Sequence, residues 1–169
     1  RVAFVQCVGS RDAKHGRPYC SSVCCTYAIK EAMIAKEHST VPLDITIFFM
    51  DLRTYGKDFD RFYERAREES GIEFVRSKVY SVEAVDDTGD MIVKFTTEDG
   101  VPKVERFNMV VLSVGFQSSP EFVKLAKETG VQLNPYGFCQ TRPFLPVETS
   151  KPGIFVCGAF RHRKISLRQ

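Results

Sequence analysis

No stretch of this chain is apolar for long enough to cross a membrane as a helix. The longest apolar run, "ITIFFM" at 45–50, is about a third of the ~20 residues a span requires. No excess of one charge stands out either. Lys and Arg number 24 against 21 Asp and Glu, a formal +3, which does not by itself call for a nucleic-acid partner. The basic end "RHRKISLRQ" reads as a solvated tail. No secretion signal is expected, since the first residues run straight into "VAFVQCVG". A strand that starts at residue two, with no Met and no lead-in, is expected to come from a longer chain. Histidine is scarce: His15, His38 and His162 are scattered and read as loop or surface residues rather than ligands. Internal repeats, low-complexity segments and long linkers are lacking.

Two further absences bear on chemistry. A dinucleotide-binding unit ends its first strand in G-x-G-x-x-G, whose glycines let the backbone approach a pyrophosphate. Here the corresponding stretch is "CVGSRD", and Gly9 is its only glycine, so ordinary binding of NADH or NADPH is not expected. Asp51 follows the second strand, where a ribose-binding carboxylate would lie, but an Asp there reads first as a turn or cap residue. The C-x-x-C pair of a redox dithiol is also missing.

What is present is a soluble, globular composition, 43% hydrophobic and 27% charged over 169 residues, enough for one domain with a real core. Residues 1–9 read as a short apolar strand and 10–19 as a polar loop with a glycine and a proline. Residues 20–39 read as a helix capped by Ser21 or Ser22, with Val23, Tyr27, Ile29, Ala32, Met33 and Ala35 on its apolar side. Residues 43–52 read as a buried strand. Residues 56–71 read as an amphipathic helix with Phe59, Phe62, Tyr63 and Ala66 on one side, charge on the other and Gly71 as the stop. Its charges, including Asp58, Asp60, Arg61, Glu64 and Arg65, read as a solvated face. Residues 72–85, 91–99 and 104–115 read as strands, with an antiparallel meander from about Val75 to Val114. Residues 119–130 read as a helix capped by Ser118 or Ser119, with Pro120 at its first position. Residues 131–153 carry four of the eight prolines and read as an ordered connection into a final short strand at 153–160. Alternating strands and helices followed by a meander predict an α/β fold, with a central, mostly parallel sheet and an antiparallel insertion.

Four of the six cysteines fall between residues 7 and 25, with the spacing C-x12-C-x3-C-C. Adjacent cysteines seldom pair with each other, and a domain of this size needs no staple, so a reducing, cytoplasmic compartment is expected. Cys20 and Cys24 are placed one helical turn apart, Cys25 next to them, and Cys7 at the end of the first strand. Four converging thiolates suit a [4Fe-4S] cluster or zinc. A helix N-terminus with Arg11, Lys14 and Arg17 nearby would favour the anionic form. From spacing alone, a metal site, a catalytic dithiol and inert cysteines all stay open. Cys157 reads as a buried small hydrophobe, and Cys139 as the same or as a surface thiol.

"VAFVQCVGSRD…YCSSVCCTYAIKEA", followed by "ITIFFMDLRTYGKDFDRFYERAREESGIEFVR", resembles the A-type polypeptide of heterodisulfide reductase from Val2 to about Arg161. That family is an iron–sulfur flavoprotein with a thioredoxin-reductase-like core. The resemblance implies a Rossmann-like, three-layer domain of the pyridine nucleotide-disulfide oxidoreductase kind. Residues 1–116 then form the NAD-domain-like part and 117–169 the return toward a flavin domain. The family's cysteine set implies a [4Fe-4S] cluster on Cys7, Cys20, Cys24 and Cys25. "VVLSVGFQSSPE" resembles the turn where such chains cross back between domains, with Gly115 allowing the turn. "PGIFVCGAF" resembles the last flavin-binding strand, with Gly158 and Ala159 where the family has a Gly-Asp pair. FAD is therefore expected in the full-length protein and not in this stretch alone. The implied task is electron transfer between flavin and partner subunits of a heterodisulfide-reductase-like complex, fed by a donor such as ferredoxin or hydrogenase. The implied chain needs no acid, base or nucleophile of its own. The alternative is a structural zinc or interaction domain that kept the α/β fold.

Overall fold

The apolar runs of β1 (Val2–Val8) and β2 (Ile45–Phe49) pair in parallel, Val2 opposite Ile45 and Val5 opposite Phe48. The first half of β3 (Glu73–Ala84) extends the parallel sheet beside β2. Its second half leaves that sheet and pairs antiparallel with β4 (Met91–Thr97), which pairs in turn with β5 (Pro102–Phe107). β6 (Met109–Val114) lies parallel to β1 on its other side. The computed structural model describes residues 1–161. They form two compact units, the first made of Arg1–Gly9 and Ser22–Val114, the second of Ser10–Ser21 and the chain from Gly115 onward.

In the first unit the strand order is β5-β4-β3-β2-β1-β6. β5 and β6 are separated only by Asn108, yet they take opposite ends of that order, so the sheet has to curl into a half-barrel. The Asn108 N–H donates to the Arg1 carbonyl at 3.0 Å, and the Arg1 guanidinium pairs with Glu105 at 2.6 Å, which ties the two ends together. The meander therefore ends at Phe107 rather than running to Val114 as expected. The physical reason is that Phe107 turns inward to a buried core, while Val110 and Val111 find their ladder partners on β1.

Side-chain alternation along β1 and β2 serves two cores. Phe4, Ile45 and Ile47 face the helices α1 (Cys24–His38) and α2 (Phe59–Glu68) and pack with Ala28, Ile29, Ala32, Ala66 and Ile72. Ala3, Val5 and Phe48 face the other way, against Val93, Phe95 and Phe107 of the meander. Helices, parallel sheet and meander make the three layers, as the expected α/β fold requires. The Phe48 ring sits 4.8 Å from Phe95 and 5.7 Å, edge-on, from Phe107. A strand buried on both faces explains why "ITIFF" is apolar without a break.

α1 departs from the expectation at both its start and its face. It begins at Cys24, because Ser22 takes a left-handed backbone (φ 69°) that no helix continues. The residue before the helix is Val23, which makes no side-chain cap bond. The buried positions are Cys25, Ala28, Ile29 and Ala32, an i, i+3, i+4, i+7 stripe, and Tyr27 lies outside it, exposed. α2 follows the expectation more closely. Phe62 and Tyr63 pack on the core, Ala66 is fully buried, and the charged positions face solvent.

In the second unit, Ser10–Ser21 contains an antiparallel turn. Asp12 and Arg17 exchange backbone hydrogen bonds at 2.8 Å, with Gly16 left-handed between them. Tyr19 is buried, its ring 5.3 Å from Phe138 and edge-on to it, and its hydroxyl donates to the Phe116 carbonyl. α3 (Pro120–Thr129) forms as expected. Ser119 accepts from the Phe122 N–H, Pro120 opens the helix, and Gly130 ends it with φ 68°. The expected final strand is reduced to one bridge, Glu148 to Phe155, followed by a 3-10 turn at Gly158–Phe160. Left-handed Gly153 and Gly158 break the extended run on both sides.

Candidate functional site

β1 ends in an irregular turn. Its pairing with β6 shifts between Val5 and Val8, and Cys7 within that bulge has φ 62°. A side chain with a Cβ pays about 1–2 kcal/mol in this region. Among the described residues, only four that are not glycine have positive φ: Cys7, Arg11, Ser22 and Asp58. Three of them fall in the stretch that carries the cysteines. Strain gathered in one stretch is a mark of functional segments.

In the first unit, Cys24 opens α1 half-buried, and Cys25 is buried in its first turn. The Cys25 thiol donates to the Asp51 carbonyl at 3.8 Å. The first turn of α1 contains no acidic residue, so the positive end of the helix dipole is not offset from within and favours a thiolate there. Cys20 belongs to the second unit, where it is buried between Tyr19 and Ser21. It does not share a helix with Cys24, contrary to the expected spacing of one turn, because Ser22 breaks the helix between them. Ser21 uses its hydroxyl to accept from the Phe116 N–H instead of capping α1. Arg17 points to Gln117, with a hydrogen bond of 2.6 Å.

Among the described residues, no three His, Cys, Asp or Glu side chains are gathered closely enough to hold a single metal ion. The donor chemistry at the end of β1 and the start of α1 is nonetheless of one kind, thiols from Cys7, Cys24 and Cys25, and thiolate is the ligand iron–sulfur clusters take. Asp51 stands in the bend after β2, half-buried. Its carboxylate lies 3.4 Å from Arg76 and 3.9 Å from Arg53.

Two polar groups at this end of the first unit carry no motif and were not legible as site residues. Gln6 is only 7% exposed; its amide donates to the Ser113 hydroxyl at 2.9 Å, and its Oε1 has no partner. Arg53 keeps a buried Nη1 that has none either.

Ten of the eleven glycines have positive φ, and Gly115 is the exception. The turn after β6 therefore does not draw on glycine's conformational freedom, contrary to the expectation for Gly115. In the second unit Gly158 does draw on it, with φ 67°, and a Cβ built there would meet nothing within 4 Å. Ala159 beside it brings no hydrogen-bonding side chain. Cys157 is exposed, not buried as expected; the 3-10 turn takes it out of any ladder. Cys139 is buried, and burial pushes its thiol pKa up. His15 pairs with Asp12 at 2.6 Å on the surface, and His38 is exposed in the last turn of α1, as expected for both. His162 lies outside the described residues.

Residues 25–169 match the pyridine nucleotide-disulphide oxidoreductase family. The A-type iron–sulfur subunit of the CoB–CoM heterodisulfide reductase of Methanocaldococcus jannaschii is 40% identical over 162 residues, 94% of this chain and 24% of that protein. A protein of the same A type, named as heterodisulfide reductase-like, from Archaeoglobus profundus is 39% identical over 160 residues, 94% of this chain and 22% of that protein. The chain thus spans about a quarter of the length of these relatives. Among solved structures, the bacillithiol disulfide reductase of Bacillus cereus shares the fold, with a TM-score of 0.51 at 14% identity over 93% of this chain and 40% of that one. The chain belongs to the pyridine nucleotide-disulphide oxidoreductase family, and over 94% of its length it is similar to a segment of the A-type polypeptides of heterodisulfide reductases.

Proposed function

We propose that this chain is the cluster-bearing, electron-transferring part of a flavin and iron–sulfur oxidoreductase of the heterodisulfide reductase kind. Cys7, Cys20, Cys24 and Cys25 hold its [4Fe-4S] cluster. The observation that carries this reading is the cysteine set C-x12-C-x3-C-C, in a chain 40% identical to a protein named as an iron–sulfur subunit. The strained backbone at Cys7 and the first turn of α1 around Cys24 and Cys25 support it. A bound cluster supplies a one-electron relay whose potential follows burial and hydrogen bonds to sulfur. The residues here bind, orient and shield it, and none of them acts as acid, base or nucleophile.

FAD belongs to the full-length protein, where Gly158 and Ala159 offer it an open stretch of backbone. The partners are further subunits of the same complex, with a low-potential donor such as ferredoxin or hydrogenase, in the reducing cytoplasm where exposed thiolates and clusters persist.

The test is anaerobic reconstitution with iron and sulfide, followed by metal analysis and electron paramagnetic resonance of the reduced protein. Iron and sulfide near four per chain are expected, with a cluster signal that Cys20→Ser or Cys24→Ser abolishes and Cys139→Ser or Cys157→Ser leaves intact. Zinc without iron after anaerobic preparation would overturn the reading in favour of a structural zinc domain. So would a Cys24→Ser variant that carries as much iron as the parent.

A further inference from the structure

The carboxamide of Gln6 is buried in the first unit with only one of its two polar atoms hydrogen-bonded. Its Nε2 donates to the Ser113 hydroxyl on the neighbouring strand β6, and its Oε1 has no partner. A buried polar atom left in this state is unfavourable, so its surroundings indicate what it is there to meet. Gln6 shares the face of Phe4, two residues back along β1. Phe4 packs in one cluster with Ala28, Ile29 and Ala32 of α1. A helix that links two parallel neighbouring strands runs back antiparallel to them. Moving two residues up β1, about 7 Å, therefore moves some four residues down α1 toward its start. That places Gln6 level with the first helical turn, where Cys24 and Cys25 stand.

We infer that Gln6 is a positioning residue for the cluster ligands, one that tunes the potential through a hydrogen bond to sulfur. Turning its carboxamide over exchanges the two polar atoms. The Ser113 hydroxyl, which can donate as well as accept, then donates to Oε1. The Nε2 N–H groups then face the Cys24–Cys25 turn. Both orphaned capacities are satisfied by one rotation, and only when an anionic sulfur is present to accept. Donors to sulfur stabilise the reduced, more negative cluster and raise its potential. This inference rests on the cluster reading above.

The experiment uses the full-length protein, reconstituted anaerobically, with the signal of interest assigned as the one lost in Cys24→Ser. Its midpoint is measured by redox titration under electron paramagnetic resonance in the parent, Gln6→Leu and Gln6→Glu. Neither variant has an N–H to donate, and Gln6→Glu keeps the length and the tie to Ser113. Both are expected to hold parental iron while the equilibrium shifts roughly tenfold toward the oxidised form, about 59 mV for one electron. Ser113→Ala should shift it in the same direction by less, and should add nothing to Gln6→Leu. Parental midpoints in iron-replete Gln6 variants overturn the inference and leave the cluster reading standing. Loss of iron in both variants also overturns it, since a tuning residue leaves assembly intact. A parent that takes up no iron overturns the cluster reading itself, and this inference with it.

Discussion

At the scale of single residues, Cys157 departs from the role its sequence context suggests, while Cys139 takes one of the two that stayed open. Cys157 stands in "IFVCGAF" and looks like a core residue, yet it is exposed; Cys139 stands in the polar "YGFCQTR" and is buried. Apolar neighbours imply burial only where a strand carries them into a sheet, and here left-handed Gly153 and Gly158 prevent a strand from forming. Because thiolate is the reactive form, and burial both raises the Cys139 pKa and blocks access, native protein should be alkylated at Cys157 well before Cys139. Peptide mass spectrometry after brief iodoacetamide treatment at about pH 8, near the pKa of a free thiol, checks this. Equal labelling of the two would show that the 138–161 stretch opens freely.

At the scale of elements, the helices whose ends carry standard chemistry were legible and the one that does not was misplaced by about a turn. "SSPEFVKLAKETG" contains a cap, a proline and a terminal glycine, and α3 uses Ser119, Pro120 and Gly130 for those tasks. Ser119→Ala should therefore cost about 1 kcal/mol, read as a lower urea midpoint with an unchanged slope. Ser118→Ala should cost less, as its hydroxyl caps nothing in α3 and has no partner. Upstream of α1 the serines offered the same signal, but Ser22 is left-handed and Ser21 bonds to Phe116. No local rule announces that a serine's best partner lies 95 residues away.

At the scale of the whole chain, the half-barrel of the first unit depends on Phe48. Its ring joins the parallel strands to the meander through Phe95 and Phe107. Phe48→Ala is expected to cost about 3–5 kcal/mol, with near-ultraviolet circular dichroism lost before the far-ultraviolet signal if the curl loosens first. A retained melting temperature would show that the two faces of the sheet are stable apart. On the same scale the fold is that of a nucleotide-binding family, while the turn after β1 carries Gly9 as its only glycine and Asp51 is held by Arg76 and Arg53. Calorimetry with NADH and NADPH should show no micromolar binding. A micromolar dissociation constant would mean that the strained turn at Cys7 makes the approach that glycines usually make.

The order of strands and helices, the apolar faces of β2 and α2, the caps of α3 and the cysteine motif were all determined by the sequence alone. Each rests on a period, a spacing or a neighbour within a few residues, which a one-dimensional reading contains. The tertiary structure alone decided that β6 leaves the meander to lie parallel with β1. It also decided that residues 10–21 belong with the chain beyond residue 114, and that Gln6 is left buried with an unpartnered oxygen. Those outcomes depend on partners about a hundred residues apart, Arg1 with Asn108, Arg17 with Gln117 and Gln6 with Ser113. A pairing at that distance leaves no periodic trace, because its energy comes from burial and satisfied polar groups that exist only once the chain has closed on itself.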